Sequence, residues 1–321
     1  MPHPPPVKLH PLFEQFIKYC PDLGINHLTP QQAREKLTAP PQSEELQVLF
    51  KLVIECEKVT KNGIKLTITR PAHIDDKELL PVILFFHGGG FIVGDVNSHQ
   101  WLRTILTIRC NAAVVFVNYT LSPEAKYPTA LEESYDALTW VLDTDSSIHH
   151  LDSTKIAVAG DSAGGTLSAA LSIIEKQRRG DKQPRIKAQV LYYPSVDSQC
   201  NSSSVNQFAD GYMLSKANLK YFWSHYLNDE KDGLATTAAP LHASVEELQG
   251  IAPALIVTAE ADVLRDEGEA YVRRLVEAGV PVTGIRAIGT IHGFMGIATS
   301  GPTVDSILDQ TVSFLNRQWG I

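Results

Sequence analysis

The stretch KIAVAGDSAGGTLSAAL, residues Lys155–Leu171, decides the fold of this chain. A run of apolar and small residues leads to Gly160, and a helix-like pattern follows from Ala163 onward. Ser162 therefore lies in a turn between a strand and a helix, with a glycine two positions away on each side. Such a turn strains the serine backbone and brings neighbouring main chain close, so that a side chain at Gly160 or Gly164 would collide with it.

This turn has a chemical consequence, because it holds one hydroxyl clear of the sheet at the start of a helix. The Ala163 N–H lies at the positive end of that helix, where it can stabilise a negatively charged oxygen. We therefore predict that Ser162 is a nucleophile and that Ala163 contributes to an oxyanion hole. The pattern is short, and a glycine-rich turn beside a parallel strand is its alternative interpretation.

Short apolar runs alternate with helical periods along most of the chain. Uninterrupted runs of apolar residues are typical of strands buried on both faces of a sheet. They lie at residues 82–87, 112–119, 155–160, 188–194 and 253–260, with a last strand near 281–287. Strands separated by helices predict an α/β fold with a mostly parallel sheet. Residues 56–71, which contain the turn signal KNG, instead predict a hairpin and hence an antiparallel edge.

Composition narrows the function classes. The 321 residues carry a formal net charge of −8, which argues against nucleic acid as a partner, because proteins that bind it usually present a basic face. The chain contains no run of about 18 apolar residues, so no membrane span is predicted. Four cysteines lie far apart without a CxxC pair, and the N-terminus lacks the pattern of a signal peptide. We therefore expect free thiols, no metal site and a cytoplasmic protein.

A second glycine cluster, HGGGF at residues 87–91, follows the first core strand. Consecutive glycines expose their backbone N–H groups and permit turns that residues with a Cβ do not tolerate. We expect Gly89 and Gly90 to aim N–H donors at the oxyanion, with Gly88 as the third candidate. His87 is expected to anchor the loop by hydrogen bonding, and a loop that is merely flexible is the alternative.

A serine hydroxyl becomes a good nucleophile only when a base takes its proton, and that base needs a third group to hold it. Asp262 follows a core strand and is the favoured carboxylate, with Glu260 and Asp266 as competing residues. His292 lies after the last strand in a loop flanked by glycine. A histidine in such a loop is usually just exposed to solvent, so its assignment as the base depends on the other two candidates. The order Ser162, Asp262, His292 along the chain is the α/β-hydrolase order, unlike that of chymotrypsin or subtilisin.

Together these motifs resemble a known family. HGGGF, GDSAGG, DVLRDEG, IHGF and NYTLSPEAKYP are similar to motifs of the hormone-sensitive-lipase-like carboxylesterases of the α/β-hydrolase superfamily. The resemblance covers the chain from about residue 50 to the C-terminus. It implies an α/β-hydrolase fold, with a mostly parallel eight-stranded sheet flanked by helices in residues 51–321. It also implies a helical cap, formed by residues 1–50 and an insertion at about 195–235.

The activity implied by this resemblance is the hydrolysis of short-to-medium-chain acyl esters. Ser162, Asp262 and His292 would form the catalytic triad, and the small-molecule ester would be the only partner that the chemistry needs. Neither a metal ion nor an organic cofactor is called for. A lactonase, an amidase or an acyltransferase would use the same triad, and a non-catalytic small-molecule receptor on the same scaffold is a further alternative. The scaffold is also compatible with a homodimer.

The substrate pocket is the part that the sequence specifies least. Phe91, Tyr212 and Phe222 are the aromatic residues expected to contact the substrate. The stretch MLSKANLKYFWSHYL, residues 213–227, is equally typical of an amphipathic helix that packs its apolar side on the core.

Overall fold

The computed structural model describes residues 7–38, 43–75, 77–143, 149–180 and 182–321. Within these residues one sheet of eight strands forms the centre of the molecule, which confirms the predicted fold class. Its strands are β1 (Val53–Val59), β2 (Lys65–Pro71), β3 (Leu80–Phe86), β4 (Ala113–Asn118), β5 (Leu151–Asp161), β6 (Ile186–Tyr192), β7 (Ala254–Ala261) and β8 (Val282–Ile291). Their spatial order is β1-β2-β4-β3-β5-β6-β7-β8.

The sheet is parallel except at one edge. β2 pairs antiparallel with both β1 and β4, as the predicted hairpin requires, and the remaining neighbours pair parallel. Every residue of β3 is buried, in agreement with its continuous apolar run. β8 ends at Ile291, beyond the predicted end near residue 287. As an edge strand it is half exposed and carries polar residues, so its apolar pattern is weak.

Twelve α-helices lie among the described residues. They are α1 (Pro11–Tyr19), α2 (Pro30–Lys36), α3 (Glu44–Phe50), α4 (Gln100–Cys110), α5 (Thr129–Asp143), α6 (Ala163–Arg179), α7 (Ser203–Gln207), α8 (Lys216–Tyr226), α9 (Val245–Leu248), α10 (Arg265–Glu277), α11 (Phe294–Ile297) and α12 (Pro302–Trp319). Short 3₁₀ turns occur at Asp232–Leu234 and Pro240–His242. None of the helices within the described ranges combines the length and the apolar character that crossing a membrane requires.

Helices cover both faces of the sheet, as two neighbouring residues of β6 demonstrate. Leu191 packs with Ile173 of α6 and Tyr271 of α10 in one buried cluster. The next residue, Tyr192, points to the opposite face, because side chains alternate along a strand. Its hydroxyl lies 2.9 Å from Thr311 Oγ1 of α12. The sheet is therefore the middle layer of three, the arrangement expected of an α/β fold.

The N-terminal segment and the segment after β6 contact each other above the carboxyl edge of the sheet. The Leu23 N–H donates to Met213 O at 2.9 Å, and the Met213 N–H donates to Pro21 O at 3.0 Å. The Tyr221 hydroxyl of α8 donates to Leu28 O at 3.1 Å. Parts of the predicted N-terminal cap, residues 1–6 and 39–42, lie outside the described residues. The division into a cap and a catalytic domain stays a prediction.

A buried carboxyl group fixes the start of the segment after β6. Glu267 of α10 accepts hydrogen bonds from the Val196 N–H at 2.9 Å and the Asp197 N–H at 3.2 Å. Burial raises the pKa of Glu267 well above its usual range, and the nearby Asp197 carboxylate acts in the same direction. The folded protein therefore holds Glu267 protonated at pH values where the unfolded chain has lost the proton.

We expect Glu267→Gln to stabilise the protein increasingly as the pH rises. In the wild type, the free energy of unfolding falls as the pH rises from the unfolded pKa to the raised folded pKa, by at most about 1.4 kcal/mol per pH unit. Glutamine does not titrate, and its amide oxygen can accept the same two N–H groups. Urea unfolding between about pH 5 and pH 8 measures the difference between the two proteins.

The matched control for this experiment is Glu277→Gln, an exposed position at the end of the same helix. The difference in unfolding free energy between E277Q and the wild type should stay nearly constant over the same pH range. A difference between E267Q and the wild type that does not grow with pH would show that Glu267 is ionised in the folded protein.

Candidate active site

The three residues of the predicted triad each follow the carboxyl end of a parallel strand. Ser162 follows β5, Asp262 follows β7 and His292 follows β8. Because parallel strands end at the same edge of a sheet, residues distant in sequence meet there. His292 Nε2 lies 3.0 Å from Ser162 Oγ, and His292 Nδ1 lies 2.8 Å from Asp262 Oδ2. The three side chains form one continuous hydrogen-bonded relay.

The turn at Ser162 has the strained geometry that the glycines predict. Its φ is 52° and its ψ is −119°, a conformation that few residues other than glycine adopt. A Cβ on Gly160 would lie 2.6 Å from Phe86 O, and a Cβ on Gly164 would lie 2.8 Å from the carbonyl carbon of His87. Neither position has room for a side chain. The chain therefore uses these glycines to hold one hydroxyl at the start of α6.

The carboxylate of the relay is buried and fully engaged. Asp262 is 1% exposed, and its second oxygen, Oδ1, accepts a hydrogen bond from the Leu264 N–H at 2.9 Å. The competing carboxylates bind backbone elsewhere. Glu260 accepts from the Gly289 N–H at 2.7 Å, and Asp266 accepts from the Ser204 N–H at 2.8 Å. Among the three candidates, Asp262 is the one hydrogen-bonded to the histidine of the relay.

Three backbone N–H groups beside the cavity have no acceptor among the described residues. They belong to Gly89, Gly90 and Ala163, which all line the cavity, and no described residue accepts a hydrogen bond from any of them. The Gly88 N–H is different, because it donates to Asp161 Oδ1 at 3.0 Å. A donor that is already bound cannot also serve an oxyanion, so Gly88 is removed from the predicted set.

The loop that carries the Gly89 and Gly90 N–H groups is anchored by His87, as predicted. His87 Nδ1 lies 2.7 Å from Gly88 O, and because a carbonyl only accepts, the nitrogen must donate. Burial lowers the pKa of His87 to about 3, so the ring is neutral and its Nδ1 carries the proton. The His87 carbonyl in turn accepts a hydrogen bond from the Tyr119 hydroxyl at 2.8 Å.

The relay opens into a cavity of about 200 Å³ with mostly apolar walls. Ser162 and His292 line it together with Gly89, Gly90 and Ala163. The remaining wall includes the apolar side chains of Leu37, Phe91, Met213, Leu219, Phe222 and Leu264. Among the described residues of the lining Asp161 is the only carboxylate, and its oxygens are already engaged with Gly88 and His99. The cavity therefore favours a neutral, apolar ligand.

Two of the three aromatic residues predicted to contact substrate do line this cavity. Phe91 and Phe222 lie in its wall, and the Phe222 ring packs so closely on Gly90 that a Cβ there would collide with it. Tyr212 does not line the cavity. Its ring packs edge to face on Phe208 with centroids 5.1 Å apart, and the next residue, Met213, takes the place in the wall. The prediction for Tyr212 is therefore withdrawn.

Sequence reasoning did not find several residues of the site. Leu23 and Leu37 of the N-terminal segment line the cavity, yet no local pattern connects them to the sheet. Asp161 and His99 form a polar pair behind the glycine loop, and only the position of Asp161 beside Ser162 could have drawn attention to it. Within the described residues, no group of three or more His, Cys, Asp or Glu side chains is arranged to hold a metal ion.

Comparisons with known proteins agree with the observed fold. A family described as having the alpha/beta hydrolase fold matches residues 83–296. An ethyl acetate hydrolase of Pseudomonas putida is 32% identical over 297 residues, which cover 90% of this chain and 92% of the relative. A thermostable esterase from Pseudomonas putida superposes with a TM-score of 0.88 at 35% identity, covering 97% of this chain and 98% of the other. An esterase from the fungus Rhizomucor miehei gives a TM-score of 0.86 at 41% identity, with 98% of both chains covered.

The chain therefore belongs to the α/β-hydrolase fold family, among its hormone-sensitive-lipase-like carboxylesterases. This confirms the resemblance carried by the HGGGF and GDSAGG motifs. The enzyme class is that of carboxylic ester hydrolases.

Proposed function

We propose that this enzyme hydrolyses neutral, short-to-medium-chain acyl esters by a two-step acyl transfer. Ser162 is the nucleophile, His292 the general base and acid, and Asp262 the carboxylate that orients the histidine. The observation that carries the proposal is the unbroken relay from Asp262 Oδ2 to His292 Nδ1 at 2.8 Å and from His292 Nε2 to Ser162 Oγ at 3.0 Å. Both distances lie within the range that proton transfer between positioned side chains requires.

In the first step His292 Nε2 takes the proton of Ser162 Oγ as that oxygen attacks the ester carbonyl carbon. The carbonyl oxygen becomes an oxyanion, and the imidazolium is stabilised by the Asp262 carboxylate. His292 then gives its proton to the alcohol oxygen as the carbon–oxygen bond breaks, which leaves an acyl-enzyme. In the second step a water molecule gives a proton to His292 and attacks the acyl carbon. His292 then returns that proton to Ser162 Oγ as the bond between Oγ and the acyl carbon breaks, which releases the acid and restores the free serine.

Gly89, Gly90 and Ala163 supply the N–H donors for the oxyanion in this proposal. Their support is the absence of any acceptor for these groups among the described residues, together with their place in the wall beside Ser162. Donors that are already aimed before reaction cost no reorganisation when charge develops. The start of α6 adds the positive end of a helix at Ala163.

The size of the cavity supports the proposed limit on chain length. Its volume of about 200 Å³ is below the roughly 300–1,000 Å³ of pockets that enclose drug-sized ligands. A wall of leucine and phenylalanine side chains binds an acyl chain by burial of apolar surface. A substrate with a carboxylate of its own would meet no cation in the described lining.

The proposal is tested by hydrolysis of p-nitrophenyl acetate, butyrate, octanoate and palmitate, combined with labelling by a fluorophosphonate. We expect turnover of the first three esters and a covalent adduct on the peptide that contains Ser162, at one label per chain. No hydrolysis of any ester, or labelling confined to another serine, would refute the assignment. Faster turnover of palmitate than of butyrate would refute the proposed chain length.

We expect Phe222→Ala to shift the preference of the enzyme toward longer acyl chains. The truncation enlarges the cavity next to Gly90, and each methylene accommodated in an apolar pocket changes kcat/KM by about tenfold or more. The ratio of kcat/KM for octanoate to that for acetate should therefore rise by at least about tenfold. Tyr212→Ala is the matched control, because its ring lies outside the cavity wall. An equal shift in both variants would mean that the cavity does not hold the acyl chain.

Three further assignments stay proposals. A cap formed by the N-terminal segment and residues 195–235 is supported by Leu37 and Leu219, which both line the cavity. A cytoplasmic location is supported by four cysteines that are all free. The homodimer stays a prediction from the scaffold.

A further inference from the structure

A buried polar cluster lies behind the glycine loop and takes no part in the proposed relay. Its centre is the carboxylate of Asp161, the residue immediately before the nucleophile. Asp161 accepts the Gly88 N–H at 3.0 Å, and His99 Nε2 lies 3.3 Å from the same oxygen. The side chains of His99 and Asp161 are 16% and 12% exposed, so both are largely removed from water.

The hydrogen bonds around His99 determine its protonation. The Asp95 N–H donates to Ser98 Oγ at 2.8 Å, and the Ser98 hydroxyl gives its single proton to Asp95 O at 2.9 Å. His99 Nδ1 lies 2.9 Å from the same Ser98 Oγ and must therefore be the donor. His99 Nε2 faces the Asp161 carboxylate, which only accepts. Both ring nitrogens donate, and only the imidazolium has two N–H groups.

The electrostatic surroundings agree with a charged pair. Burial is the largest single influence and would lower the pKa of His99, but the contributions of Asp161 and Asp95 together outweigh it, and the pKa is raised. Burial would raise the pKa of Asp161, but His99 and the Gly88 N–H outweigh it, and the pKa is lowered. The other titratable groups that face His99 are the neutral ring of His87 and the carboxylate of Asp95.

This cluster fixes the peptide planes that lead into the oxyanion hole. The plane between His87 and Gly88 is held at both ends, because its carbonyl accepts from Tyr119 and its N–H donates to Asp161. The next plane is held by His87 Nδ1 at Gly88 O. In a trans peptide the N–H points away from the carbonyl, so this bond fixes the Gly89 N–H on the side opposite His87.

We propose that His99 is a positioning residue for ester hydrolysis: paired with Asp161, it holds the Gly88 amide and thereby keeps the Gly89 and Gly90 N–H groups aimed at the oxyanion. This inference rests on the proposed function. His99 contacts neither the substrate cavity nor the relay, and it acts through the Asp161 carboxylate. The effect belongs to the transition state, because the oxyanion does not exist in the bound ester.

The first test compares His99→Leu with His99→Gln. Leucine removes the donor, so we expect kcat to fall by about a hundredfold, the effect of misplacing a reacting group by roughly 1 Å. KM should change by less than about twofold, because ground-state binding is unaffected. Glutamine returns an N–H donor near the position of Nε2 and should restore most of kcat. Equal loss in both variants, or a loss expressed in KM alone, would overturn the proposal.

The matched control is Thr107→Val in α4, the helix that begins directly after His99. Thr107 is fully buried, and its hydroxyl donates to Arg103 O at 2.9 Å, so the variant loses one buried hydrogen bond far from the loop. Its kcat should stay within about twofold of the wild type even if its melting temperature falls. The same loss of kcat in T107V and H99L would mean that any weakening of α4 lowers activity.

A double-mutant cycle shows whether His99 acts through Asp161. Asp161→Ala, which removes the acceptor of the Gly88 N–H, should by itself lower kcat, and adding His99→Leu should lower it little further, because both changes loosen the same amide. A trifluoromethyl ketone, which forms an oxyanion on the serine, should lose affinity in H99L by the same factor as kcat/KM. Fully additive losses in the cycle, or an unchanged affinity for the ketone, would overturn the proposal.

Hydrogen exchange separates this inference from the proposed function. The amides of the peptide spanning residues 86–93 should exchange at least about tenfold faster in H99L than in T107V, whether or not the protein turns over an ester. Absence of hydrolysis by the wild type with faster exchange in H99L would refute the esterase mechanism and leave the loop anchor intact. Hydrolysis that depends on Ser162, with unchanged exchange and kcat in H99L, would refute the role of His99 alone.

Discussion

Replacing Ser162 with alanine is expected to lower kcat for p-nitrophenyl butyrate by about six orders of magnitude. The change removes the only oxygen that His292 can deprotonate in the relay, since its Nε2 lies 3.0 Å from Ser162 Oγ. What remains is water attack helped by the oxyanion donors and by substrate binding, about 10³–10⁴ above the uncatalysed rate. KM should change little, because the cavity wall is untouched. Stopped assays at high enzyme concentration, with the background rate subtracted, measure the residual activity.

The matched control for this substitution is Ser168→Ala. Ser168 lies in α6, the helix that begins directly after Ser162. It is fully buried and donates to Gly164 O at 2.9 Å. Its loss costs one buried hydrogen bond without touching the relay, so kcat should stay within a few fold of the wild type, roughly the range of neutral substitutions. A loss below about tenfold in S162A would remove Ser162 from the mechanism, because no general-base route through His292 would then be needed.

The sequence predicted the parts of this protein that local physics determines. Continuous apolar runs identified the buried strands, because a strand covered on both faces has no polar side to alternate. The glycines around Ser162 identified a strained turn, which the φ of 52° confirms. The edge strand β8 was harder to delimit, since four of its ten residues are exposed and it extends to Ile291. Strand ends that carry polar residues give a weak apolar signal.

The walls of the cavity could not be predicted in the same way. Leu37 reaches the cavity through the contact of α2 with the glycine loop, where Arg34 Nε donates to Ile92 O at 2.8 Å. That contact joins residues 58 positions apart, and no periodic pattern encodes it. The aromatic ring of Tyr212 predicts a contact with substrate. The backbone turns at Met213, which has a φ of 70°, and the methionine lies in the cavity wall instead.

Residue type alone does not distinguish the roles of the three glycines in the glycine loop. Gly88, Gly89 and Gly90 are equivalent in sequence, and each can expose an N–H group. Their roles differ only because Asp161, the last residue of β5, accepts a hydrogen bond from the Gly88 N–H. The choice among Glu260, Asp262 and Asp266 also depends on tertiary contacts, because all three lie near the end of β7 or in the first turn of α10. Tertiary hydrogen bonds decide both questions.

The choice of carboxylate leads to the second large expected effect. Asp262→Asn should lower kcat by about four orders of magnitude while preserving the fold. Asp262 Oδ1 accepts from the Leu264 N–H at 2.9 Å, so an isosteric asparagine keeps its oxygen there and presents its NH₂ group to His292. His292 Nδ1 must then accept, which moves the ring proton to Nε2 and leaves no base facing Ser162.

The control for this substitution is Glu260→Gln, which alters the competing carboxylate two residues earlier. Its amide oxygen can still accept from the Gly289 N–H, so kcat should remain within a few fold of the wild type, roughly the spread of neutral changes. The kcat values of D262N and E260Q, measured at one saturating ester concentration and checked by thermal unfolding, decide between the two residues. A large loss in E260Q with near-normal turnover in D262N would reverse the assignment, because the histidine would then depend on the carboxylate of Glu260 for its tautomer.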